Sequence, residues 1–174
     1  YLQYVKGFEP REAGLIMVVQ PLIMAVFSPV TGRLSDHIQP QVLASVGMAF
    51  STLGLVLYIF LEPGTATWYI VMVMGILGIG FALFSSPNTN AIMSSVERRY
   101  YGVASGSVGT MRMIGQMLSM GIVLLLFSMM IGKVEITKAH ADAFMTSMKV
   151  AFTIFSVACF LGIFASIARG RLHR

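Results

Sequence analysis

Charge is what this chain has least of. Only 11% of its 174 residues are Asp, Glu, Lys or Arg, against roughly 25% in an ordinary soluble domain, which excludes a water-soluble globule. Cysteine occurs once, at Cys159 inside an apolar run. That excludes a disulfide framework and a thiolate-held metal, and leaves Cys159 as a small apolar residue. The three histidines, His37, His140 and His173, are far apart in sequence, and no HExxH, P-loop or GxSxG pattern is present. Enzyme chemistry, metal and cofactor therefore have no anchor here. Acids are missing from the long apolar runs altogether.

What the chain does have is hydrophobicity, at 56% of residues and a mean hydropathy of +0.80. Five stretches carry no charge: Ala13 to Gly32, Val42 to Leu61, Pro63 to Val96, Met113 to Gly132 and Val150 to Ala168. Each can cross ~30 Å of hydrocarbon, which takes about 20 helical residues. The runs are continuous rather than alternating, so they predict helices and not barrel strands. The expected fold is all-α and integral to the membrane, with spans at about 11–34, 41–61, 66–87, 102–131 and 145–169.

The net charge of +5 would suggest nucleic acid in a soluble protein. Here the basic residues lie mostly in loops or at the C-terminus, so orientation in a bilayer explains them and nucleic acid is discarded. Arg33, Arg98, Arg99, Arg169, Arg171 and Arg174 fall on one side, and Lys6, Arg11, Lys133, Lys138 and Lys149 on the other. The tighter Arg clusters predict a cytoplasmic C-terminus in the cell membrane, with the Lys133 to Lys149 segment outside. Tyr1 to Arg11 lacks the order of a signal peptide. It reads as the exit of an earlier helix, with Tyr1 and Tyr4 at interfacial depth, so the chain is expected to be part of a longer protein.

The stretch GRLSDH, Gly32 to His37, concentrates charge between two apolar runs. Gly32 is expected to let the chain leave the first span, and Pro40 to start the second. Asp36 then sits at a helix boundary, where it can face the positive end of a helix dipole or serve as an ordinary charged turn. Small residues at spacings of three and four, Gly47, Ser51 and Gly54 and again Gly102, Gly106 and Gly109, predict faces that a neighbouring helix can approach. Pro21, Pro29 and Pro87 interrupt spans and can kink them. The fourteen methionines are mostly apolar filling.

The Gly-x-Leu-x-Asp pattern, with GFEPREAGLIMVVQPLIMAVFSPVTG before it, resembles the region around the eighth helix of the major facilitator superfamily, in its fourteen-span drug:proton antiporter branch. SSPNTNAIMSSVERRYYGVASGSVGTMRMIGQMLSMG resembles that branch's eleventh helix in twelve-helix numbering and the loop before it. The two matches stand in the family's order and cover most of residues 1 to 131. His37, Gln39, Pro40 and Gln41 replace the family's usual basic and glycine positions after the aspartate.

The resemblance implies the C-terminal half-bundle: the end of a seventh helix and all of five more, with the N-terminal half absent. It implies a secondary active transporter, exporting lipophilic drugs or related small molecules with proton coupling by alternating access. The implied partners are the missing half, the bilayer, a small lipophilic substrate and protons. Gln20, Met24 and Gln116 become cavity candidates, although the glutamines could equally bond between helices. Gly32, Asp36 and Arg112 become conformational candidates. Arg112 would either snorkel to the headgroups or bond helix-end carbonyls or a carboxylate and help close the cytoplasmic side. With no carboxylate inside its spans, this half is expected to leave the coupling acid to the other. The competing reading is a half-size membrane protein that dimerises through its glycine faces and transports nothing.

Overall fold

The computed structural model describes residues 1–130 and 141–167, without the side chains of residues 36, 141 and 167. The described residues fold as helices alone, five of them long and apolar enough to cross a membrane. The first crossing is made of α1 (Pro10–Met17) and α2 (Val19–His37). Pro10 opens it at the first helical position, and the Glu12 carboxylate accepts the Glu9 N–H at 3.2 Å, an acidic version of the capping box. The two pieces join through Val18, which is itself helical at φ −65°, ψ −22°. The seam between them has a chemical cause: Pro21 has no N–H to give the Met17 carbonyl.

Helix α2 does not end at Gly32 as expected; it continues to His37. Nothing breaks it earlier, whereas Pro40 pushes the residue before it out of the helical region, and Gln39 sits at φ −53°, ψ 126°. The link is thus only Ile38 and Gln39. Helix α3 (Pro40–Ile59) follows, then α4 (Thr67–Ser94), which runs on past Pro87. A short 3₁₀ turn, Arg98–Tyr100, leads into α5 (Tyr101–Met130), and α6 (Ala141–Ile167) closes the described chain.

Helix α4 packs against both α2 and α3, and α6 packs on the far side of α3. The α3–α4 seam is close because it is built from small residues. A Cβ at Gly47 would stand 2.6 Å from the Phe84 nitrogen and 2.7 Å from the Gly80 oxygen, and one at Gly54 2.6 Å from Leu77. Against α6, Met48 is the hub: its carbonyl accepts the Cys159 thiol at 3.5 Å, and its methyl group fills the space over Gly162. Ser45 and Ser166 hydroxyls meet at 3.1 Å along the same seam.

A hydrophobic core cluster lies at the Tyr1 end: Leu2, Ala13, Tyr58, Leu61, Ile70, Val73, Leu77 and Met145. The opening segment is stitched to it, since the Tyr1 hydroxyl donates to the Glu62 carbonyl and the Tyr4 ring lies 6.3 Å from Phe144. Helix α5 is the outlier. None of its residues is buried, and it leans on α6 near its end through Phe127 and Phe144, 5.5 Å apart.

Candidate functional site

Two sets of side chains in the spans bear on a site. One set is consumed in holding α2 to α4. The Thr31 hydroxyl donates to the Ala82 carbonyl at 3.1 Å and the Asn90 amide to the Ser35 hydroxyl at 3.3 Å. Gly32 lies between them, where a Cβ would meet the Ser86 hydroxyl at 3.5 Å. Farther along, a Cβ on Gly78 would lie 2.8 Å from the Gln20 carbonyl oxygen, so the two backbones nearly touch there. Thr31, Ser35, Asn90, Gly78 and Gly80 were not singled out from sequence. Their signal was only that small and hydroxyl residues recur along α2 and α4, which is weak because such residues are common in membrane helices.

The other set forms no side-chain hydrogen bond or ion pair among the described residues. Gln20 and Met24 are half-buried one turn apart on α2, and Arg112 and Gln116 are exposed one turn apart on α5. The structure therefore pairs the candidates within each helix, while α4 contacts both helices. The glycines divide likewise. Gly47 and Gly54 lie in the α3–α4 seam, but Gly102, Gly106 and Gly109 have nothing within 4 Å. The close approach expected at those three is not made within this chain, because α5 stands at the edge of the bundle.

Asp36 occupies the last turn of α2, and its side chain lies outside the description. So do residues 131–140 and Arg169, Arg171 and Arg174. The Glu97–Arg99 pair, 2.9 Å apart and well exposed, precedes α5, with the Arg99 guanidinium 4.7 Å from the centre of the Tyr100 ring. No group of three metal-ligating residues occurs among the described residues. What remains among the described residues is a set of uncommitted side-chain donors, Gln20, Arg112 and Gln116, on otherwise apolar helices.

Comparison with known proteins gives the family. Residues 1–120 match the model of the Major Facilitator Superfamily. The chain is similar to the riboflavin transporter RibZ of Clostridioides difficile, 26% identical over 96% of this chain and 37% of that protein. It is similar to the multidrug resistance protein Stp of Mycobacterium tuberculosis, 33% identical over 66% of this chain and 21% of that protein. The cephamycin export protein CmcT of Amycolatopsis lactamdurans is 27% identical over 97% of this chain and 35% of its own length. No solved structure matches. The chain thus spans well under half the length of these relatives, and it is a multi-span membrane protein that belongs to the Major Facilitator Superfamily.

Proposed function

We propose that this chain forms the C-terminal half of a proton-coupled exporter of lipophilic small molecules in the cell membrane, with its C-terminus cytoplasmic. It performs no catalysis. The observation that carries the reading is the family match over residues 1–120, supported by relatives named for multidrug resistance and for cephamycin export. Substrate sits near the midplane between this half and an N-terminal half, and the halves rock to expose it alternately. The cavity side of this half includes Gln20 and Met24 on α2 and Gln116 on α5. Asp36, at the end of α2, latches one state by facing the positive end of a helix in the other half.

No carboxylate among the described residues lies mid-span, so the proton-binding acid belongs to the N-terminal half. The test is dye flux into proteoliposomes holding the complete transporter, with a proton gradient imposed. Flux that collapses with a protonophore is expected, and none from this chain alone. Absence of flux from the complete protein overturns the proposal. A second reading, a half-size protein that dimerises without transporting, rests on the open Gly102, Gly106 and Gly109 face, and proton-driven flux excludes it.

A further inference from the structure

Arg112 and Gln116 belong to a longer pattern on α5. Gly102, Ser105, Gly109, Arg112, Gln116 and Ser119 follow one another at alternating spacings of three and four. At about 100° per residue they share one face, and from Gly102 to Ser119 they run about 26 Å, most of the hydrocarbon thickness. A different side of the helix carries Val103, Ile114, Met117 and Leu118, all exposed and apolar, as lipid contact requires. The half-buried residues Ala104, Val108 and Leu126 adjoin the polar stripe on the helix surface. The stripe therefore borders the rest of the bundle and is not its lipid-facing outside.

Depth and charge then point to what the stripe meets. Arg112 lies about 5 Å from the midpoint of the described helix Tyr101–Met130, and transporters of this architecture hold substrate near the midplane. Lys149, the other described cation well inside a long helix, is on α6 and not on the stripe. The described carboxylates Glu9, Glu12, Glu62, Glu97 and Asp142 all lie in turns or at helix starts, and Asp36 is in the last turn of α2. Burying a guanidinium at this depth is costly without an anion opposite it. The Ser119 hydroxyl is already spent on the Gln116 carbonyl, 2.9 Å away. The guanidinium fork and the Gln116 amide are left as the strong free donors of the stripe.

We propose that this stripe lines the translocation path and that Arg112, assisted by Gln116, pairs with an anionic group, a carboxylate or sulfonate, on an otherwise apolar substrate. The inference rests on the transporter reading and names its substrate class. A planar fork with an amide one turn away suits a group with two or three oxygens on one centre.

Two fluorescent probes with one aromatic core test it, one ending in a sulfonate and the other in a neutral sulfonamide of similar size. Binding and gradient-driven flux are measured for the complete transporter as wild type, Arg112→Gln and Arg112→Lys. Arg112→Gln is expected to weaken sulfonate binding tenfold or more and to leave the sulfonamide within twofold. Arg112→Lys keeps the charge and loses the fork, so it weakens the sulfonate only severalfold. Equal loss for both probes would assign Arg112 to a carboxylate of the protein and overturn the proposal. No change for either, in a variant that inserts normally, would leave it snorkelling. A wild type that moves the sulfonamide but neither binds nor moves the sulfonate overturns the inference and spares the transporter reading. A wild type that moves neither defeats both.

Discussion

The single proton of the Thr31 hydroxyl is shared between two carbonyls, Ser28 of its own helix at 3.0 Å and Ala82 of α4 at 3.1 Å, and Thr31 is almost wholly buried. The Ala82 carbonyl keeps its place in the α4 ladder whatever happens to Thr31. Removing the hydroxyl therefore orphans no strong acceptor and costs only the interhelical bond. Thr31→Val is expected to destabilise the bundle by about 0.5–1.5 kcal/mol, and Thr31→Ser by less. Thermal unfolding in detergent checks this, and a neutral Thr31→Val would mean the bond contributes nothing.

Two glycines that look alike in sequence should behave oppositely. At Gly47 the neighbours of an added methyl group are backbone atoms of Gly80, Leu83 and Phe84, which cannot rotate away. Gly47→Ala is expected to cost about 1–3 kcal/mol as the helices are forced apart. Gly109 has open space, so Gly109→Ala gains up to about 1 kcal/mol of helix propensity. Melting temperatures shifting down for the first and level or up for the second are the expected result.

The same contrast shows what could be read from sequence. Uncharged runs located all five long helices, because lipid penalises charge strongly enough to print it on the composition. The glycine spacing at Gly47, Ser51 and Gly54 marked a real seam, yet the equivalent spacing at Gly102, Gly106 and Gly109 found no neighbour. A small-residue face states that a helix can come close, not which helix, or whether this chain contains it. Gly32 was misread as a helix exit for a related reason. Glycine permits an exit, but Pro40 compels one, and the compelling residue set the boundary. Arg112 and Gln116 are legible in the sequence one by one, whereas their place on an open stripe at the edge of the bundle follows from α5 having no buried residue.

Asp36→Asn preserves shape and removes charge. If the carboxylate faces a helix N-terminus in the other half, about 0.3–2 kcal/mol is lost from the state that uses it. Transport and the balance of inward and outward accessibility should change severalfold. Unchanged transport with unchanged accessibility would reduce the end of α2 to a charged turn.

Sidedness is open to cysteine labelling, starting from Cys159→Ser, which keeps a donor for the Met48 carbonyl. In intact cells Lys138→Cys is expected to react with an impermeant reagent, and Arg98→Cys to be protected. The reverse pattern inverts the topology.

Pro21 adjoins the point where the backbones of α2 and α4 nearly touch, at Gln20 and Gly78, so the gap in the helical hydrogen-bond ladder and the closest approach to α4 coincide. From Pro21 to His37 the helix is about 24 Å long, and a 10° bend would carry its tip about 4 Å. That is more than the 3.3 Å separating Asn90 from Ser35 near the tip. A bend small enough to leave the packing beside Gln20 in place would still stretch the Asn90–Ser35 bond at the far end, next to Asp36.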